Sequence, residues 1–144
     1  MKAFAEREGA RVPPVRVVRQ RRRSLEAIAI ENAVEGCVGE TFGTAVARFQ
    51  SKRADDKGLR SAMRRIAADE TRHAQLSWDL ARWLDRRLSP DARACVKSAR
   101  SRAVGALARS VAASIESSAI VSLGLPTADQ ASAVVEHLRQ SVWA

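Results

Sequence analysis

Tyrosine is absent from the 144 residues, phenylalanine and tryptophan occur three times each, and glycine and proline number only seven and four, most of them at junctions between periodic segments. Such scarcity of aromatic and turn-forming residues is the composition of a helical protein. The two cysteines, Cys37 and Cys95, are too few and too far apart for a zinc motif, and in helical context they read as small, reduced packing residues. No apolar run is long enough to cross a membrane and the start lacks the apolar core of a signal peptide, so a cytoplasmic chain is expected. With 46% apolar residues, there is material for one domain with a real core.

Acidic residues are also short, sixteen against twenty-five Lys and Arg, for a formal charge of +9. The imbalance is local. Residues 1–23 carry Lys2, Arg7, Arg11, Arg16, Arg19, Arg21, Arg22 and Arg23 against Glu6 and Glu8, which leaves residues 24–144 nearly balanced. A basic arm beside a balanced domain can bind nucleic acid. Aromatic residues do not interleave with these arginines and no nucleic-acid motif accompanies them, so a solvated linker is the expected role. The arm opens with a short helical stretch around Phe4 to Arg7 that Gly9 ends, and Pro13 and Pro14 keep the chain beyond it extended.

From Ser24 onward the pattern predicts an all-α fold. Ser24 is an N-cap for a helix from Leu25 to about Gln50, with Glu26 in its first turn. Its inward stripe reads Ile28, Glu31, Glu35, Val38, Phe42, Ala45 and Phe49, while Glu40 falls on the opposite, solvent side at 100° per residue. Gly36, Gly39 and Gly43 form a ridge beside that stripe. Each costs roughly 1 kcal/mol in a helix interior, which predicts close approach by another backbone.

Asp55 and Asp56 then cap a second long helix, from about Lys57 to Leu88, and so short a junction forces the two to lie antiparallel. On it Leu59, Met63, Ile66, Glu70, His73, Ser77, Leu80 and Leu84 recur at helical spacing. A carboxylate and an imidazole three residues apart project to one side and lie within reach of one ion. Burying an unpaired carboxylate costs several kcal/mol, so an acid within an apolar stripe demands a partner, either a metal or an arginine. Glu35 lies about fifteen residues before the junction and Glu70 and His73 about as far after it, so their levels coincide within a turn. Glu31, one turn farther out, is a second ligand, an acid supporting the ligands, or the partner of an arginine.

Ser89, Pro90 and Asp91 start a third helix, rich in Ala and Ser, that runs to about Ser122 with Val104, Leu107, Val111, Ser114, Ser118 and Val121 as its apolar line. Gly124 and Pro126 stop it. Thr127 to Gln130 forms a capping box for a short fourth helix with Ala131, Val134, Leu138 and Val142 inward and His137 exposed. Trp78 and Trp83 are expected to cover the bundle, and Glu116, off the apolar line and without a His three residues later, is no ligand candidate.

Glu35 on the first helix and Asp69-Glu70-Thr71-Arg72-His73 on the next resemble the ferritin-like di-iron carboxylate superfamily, and within it bacterial ferritin-like domain proteins with two helix pairs in tandem. Residues 25–88 carry the likeness, with the Ala-rich third helix and Leu123-Gly124-Leu125-Pro126 fitting more loosely. The resemblance implies an antiparallel ferritin-like bundle and a site for iron, or manganese as a substitute. Glu70 would bridge, Glu35 would be a terminal ligand and His73 the nitrogen ligand, in ferroxidase, peroxidase or substrate-oxidising chemistry. Members of the superfamily contribute Glu and Glu-x-x-His twice, whereas this sequence holds one copy, and residues 1–23 resemble the tail of a missing first helix pair. A homodimer or a separate first-half chain would complete the site, and a truncated copy would bind metal poorly. The competing expectation is a non-catalytic interaction domain whose Glu31, Glu35, Glu70 and His73 contact Arg64, Arg65, Arg72 or a partner.

Overall fold

The computed structural model describes residues 2–7, 9–11, 13–14, 22–113 and 118–143, and among these every regular element is a helix. A short α1 (Lys2–Arg7) is followed by a glycine at φ +79°, Gly9. A long helix then runs through three segments without a break: α2 (Leu25–Glu31), a π-helical stretch (Asn32–Glu40) and α3 (Thr41–Arg53). Next come α4 (Lys57–Asp85), α5 (Pro90–Ala112), α6 (Ser118–Ser122) and α7 (Ala128–Ser141).

The helix starts follow local chemistry. Ser24, Asp56, Ser89 and Thr127 each accept a hydrogen bond from the amide three residues on, satisfying a donor the helix cannot, and Thr127 with Gln130 completes the reciprocal capping box. The ends differ from expectation. The first long helix continues to Arg53 instead of stopping near Gln50, and α5 ends at Ala112 instead of reaching Ser122, the later turn Ser118–Ser122 being a separate helix.

α3 and α4 pack along their length as an antiparallel pair, α5 packs on α2 and the π-helical stretch, and α7 packs on α5 and α3. Half of the buried apolar residues are alanines, which lets helix axes come close. One cluster lies where α3 turns into α4, around Ala47, Ala54, Leu59, Met63 and Ala67. The other joins Val38, Val104, Val111, Ala131, Val135 and Trp143, with Trp78 and Phe42 against it. Trp143, beyond the end of α7, is 7% exposed and its indole N–H donates to the Cys37 carbonyl at 2.9 Å. That tie fixes the C-terminal helix to the π-helical stretch.

The turn between α3 and α4 is fastened from outside. The Asp55 amide donates to the Ser122 carbonyl at 3.0 Å, Gln50 Nε2 to the Leu123 carbonyl at 3.1 Å, and the Arg60 guanidinium to the carbonyls of Ala54 and Asp55. Gly124 has φ +66°, and a Cβ there would fall inside the backbone at Arg53 and Ala54, so only glycine fits on both counts.

Several inward positions differ from the periodic reading. On the first long helix the buried line is Ala29, Ala33, Cys37, Val38 and Ala47, whereas Glu31 and Glu35 are exposed. Of the three glycines only Gly36 meets a close neighbour, and that neighbour is Ser77 of α4. Val121 is 67% exposed, Val135 replaces Val134 as the buried residue of α7, and Trp83 lies outward with the Arg87 guanidinium 3.9 Å above its ring. Cys37 is buried and free, as a packing residue should be, but Cys95 is exposed. His137 is exposed, as the pattern predicts. Glu116 and Ser114 lie outside the described residues.

Candidate metal centre

The π-helical stretch decides which acids face α4. In an α-helix residues three and four apart share a face, but where hydrogen bonds run from i to i+5 the turn is wider and residues four and five apart share it. Asn32–Glu40 has this wider winding for nine residues, so the 100° step used to assign faces accumulates a phase error through it. The error turns Glu35 outward and brings Glu40 round toward α4, while Glu31, which precedes the stretch, is exposed and paired with Arg23. The later helix end works in the same direction. Ending at Arg53, three residues beyond Gln50, raises the level opposite Glu70 by about 4.5 Å along the axis, from Glu35 toward Glu40.

The stretch is held against α4 by contacts that leave little freedom. A Cβ on Gly36 would stand 2.5 Å from Ser77 Oγ, 2.7 Å from Ser77 Cβ and 2.8 Å from Asn32 Oδ1. Asn32 Nδ2 donates to the Ser77 carbonyl at 2.9 Å and Trp78 Nε1 to Thr41 Oγ1 at 3.3 Å. These cross-helix bonds flank Glu40 and set its height against α4.

Glu40, Glu70 and His73 form one group, with one ligand atom from each lying within 4.8 Å of the others. His73 Nδ1 is 3.3 Å from Glu70 Oε2. A hydrogen bond between the two carboxyls raises the affinity of Glu40 for its proton, aided by burial and by the charges of Glu70 and Glu35, against the opposing pull of His73. The same bond lowers the pKa of Glu70, burial opposes it, and the bond and charge from His73 add to the lowering. The two carboxyls therefore titrate as one coupled pair, in which the first proton is bound more readily than by a lone carboxylate.

Arginine does not neutralise this group. Arg72 pairs with Asp69, Arg48 donates to Thr71 Oγ1 at 3.2 Å, and Arg64 and Arg65 are exposed without an ion-pair partner among the described residues. Glu31 is where an arginine does intervene, through an ion pair with Arg23. Glu35 acts on Glu40 through charge but stands outside the ligand group.

The group is not buried as an apolar-stripe reading requires. The Glu70 side chain is 29% exposed and that of His73 60%, and no charged residue among those described is buried. The cause is architectural. The broad contacts of α4 are with α3 and the π-helical stretch, so Glu70 and His73 stand at the margin of its covered face. Beyond them Leu76 is 66% exposed.

Sequence periodicity places Glu40 on the solvent side, and the structure corrects this, because nothing in the residue pattern announces a π-helical winding. The signal available was its level: it lies about as far before the α3–α4 turn as Glu70 lies after it. Comparison with known proteins gives no match to a family model, a curated protein or a solved structure.

Proposed function

We propose that Glu40, Glu70 and His73 hold iron, or manganese in its place, and that the chain is a ferritin-like half-bundle whose metal centre is completed by a second copy or by a separate first-half chain. The observation that carries this reading is the convergence of two carboxylates and one imidazole, from facing helices, within 4.8 Å and with no arginine among them. The donor set fits. Oxygen donors with one imidazole suit iron and manganese, and ligand atoms a little over 3 Å apart, as Glu70 and His73 are at 3.3 Å, need move little to surround a common ion.

Glu70 lies between Glu40 and His73 in the network of hydrogen bonds and is the candidate bridging acid, with Glu40 taking the terminal place first expected of Glu35. Glu35 supplies further negative charge at the rim, and Glu31, paired with Arg23, is a supporting acid. A bound iron ion would supply one-electron chemistry toward dioxygen or peroxide. The protein's own part is to present Glu40 and Glu70 as carboxylates, so that loading competes with protonation of the pair.

Openness on one side supports the need for a second chain. Leu76, three residues after His73 on α4, is 66% exposed, and such an apolar residue suits a partner helix. A two-fold pairing would bring two copies of the three ligands around two ions. Anaerobic titration with ferrous iron, alongside a solution mass measurement, tests the proposal. One ion per chain in a dimer, lost in Glu70→Ala, is expected. Metal-free protein of unchanged helicity would leave an inert helical interaction domain.

A further inference from the structure

At the other end of α4, the helix meets α5 across the turn at 86–89, and the two diverge around a cleft of about 540 Å³. Its walls are basic. Arg82 and Arg86 come from α4, Arg93, Lys97 and Arg100 from α5, and Asp85 is the one acid in the lining. Half of the lining residues are cationic, against 25 of 144 in the whole chain, so the enrichment exceeds what the overall charge explains.

These cations are not equally free. Arg82 pairs with Asp79, and Arg93 donates to the carbonyls of Asp85 and Leu88 at 3.3 and 3.0 Å, closing the end of α4. Arg100 lies over the Trp78 ring at 5.5 Å. Arg86 and Lys97 have no ion-pair or hydrogen-bond partner among the described residues. Like charges four apart on a helix repel, and Arg86 and Lys97, the unpaired members of two such rows, line the same cleft, where an entering anion would offset their charge. Lys97 and Arg100 also line an adjoining hollow of about 360 Å³ with Arg139 and Ser101, so positive charge continues along α5.

We propose that this cleft binds a small polyphosphate anion, of diphosphate or triphosphate size, with Arg86, Lys97 and Arg100 as its charge contacts. A single carboxylate would neutralise one cation, whereas a diphosphate offers several charges and oxygen pairs that match guanidinium geometry. The volume is that of a small-molecule site. A nucleic-acid strand fits less well: the cleft ends at the turn, and Trp78 is already covered by Arg100, leaving no ring on which a base would stack. The proposal is independent of the metal centre.

Calorimetric titration of the full chain with inorganic pyrophosphate and tripolyphosphate, sulfate serving as the reference anion, tests it. Pyrophosphate is expected to bind more tightly than sulfate. Arg86→Gln with Lys97→Gln should weaken that binding by roughly tenfold or more, as losing charged hydrogen bonds requires. Arg64→Gln with Arg65→Gln, the same charge removed from another part of α4, should change it by less than roughly twofold. Binding should persist in Glu70→Ala, which separates the cleft from phosphate carried on a metal ion. Absence of binding, equal losses in the two double variants, or loss in Glu70→Ala would each overturn the proposal.

Discussion

Replacing Gly36 by alanine tests whether the π-helical stretch is locked to α4. The new methyl would stand 2.5 Å from Ser77 Oγ and 2.7 Å from Ser77 Cβ, and the Cβ belongs to the α4 wall rather than to the end of a flexible chain. It would also lie 2.8 Å from Asn32 Oδ1, so the amide that donates to the Ser77 carbonyl at 2.9 Å must turn away. Overpacking of this kind costs about 1–3 kcal/mol. Losing the Asn32 bond adds about 1 kcal/mol, and the better helix propensity of alanine returns a similar amount. The net is a destabilisation of about 1–3 kcal/mol, or a fall in Tm of roughly 3–10 °C for a chain of this size. Gly43 is the internal control, since a methyl there meets nothing within 4 Å, and Gly43→Ala should stabilise by about 0.5–1 kcal/mol. Urea melts followed by circular dichroism measure both. If Gly36→Ala raised the midpoint as Gly43→Ala does, the close approach of the stretch to α4, and with it the placement of Glu40, would be refuted.

Other outcomes depend on single contacts. Trp143→Phe removes the indole donor from the Cys37 carbonyl but keeps most of the apolar volume, and should cost about 1 kcal/mol in urea unfolding, whereas Trp143→Ala should cost about 3–5 kcal/mol. Burial pushes the Cys37 thiol up to about 11, so with Ellman's reagent the exposed Cys95 should react promptly and Cys37 only on unfolding; equal rates for both would contradict the packing of Cys37. Glu40 has a pKa raised in the folded state, so its contribution to stability is present below the ordinary carboxylate range and is lost as pH rises through the raised value. At neutral pH the metal-free Glu40→Gln variant should therefore be more stable than the parent by about 0.5 kcal/mol, a small figure because solvent screens the pair. A parent equally stable at pH 5 and pH 7 relative to Glu40→Gln would show that no proton is shared.

Caps and turns were legible because their chemistry is local. Ser24, Asp56, Ser89 and Thr127 each act within three residues of themselves, and all four begin helices as the sequence suggests. The pairing of the two long helices was likewise implied by a junction too short for any other arrangement. What escaped depends on winding and on distant contacts. A π-helical stretch leaves no mark in apolar spacing, so a uniform 100° step misplaces the faces of Glu35 and Glu40. The burial of Trp143 depends on a bond across 106 residues, which no local pattern encodes. Glu70 and His73, on a regular α-helix, kept the mutual geometry their spacing implies, although at the margin of the covered face rather than beneath it.

Glu40, and not the exposed Glu35 or the arginine-paired Glu31, is expected to join Glu70 and His73 around an ion. Ferrous or manganous binding, measured in parallel on the parent and on Glu31→Ala, Glu35→Ala, Glu40→Ala and Glu70→Ala, tests it most directly. Loss of the tight ion is expected in Glu40→Ala and Glu70→Ala, with binding kept within roughly threefold in Glu31→Ala and Glu35→Ala, since screened charges at the rim contribute little. Full binding in Glu40→Ala, or its loss in Glu35→Ala alone, would contradict it.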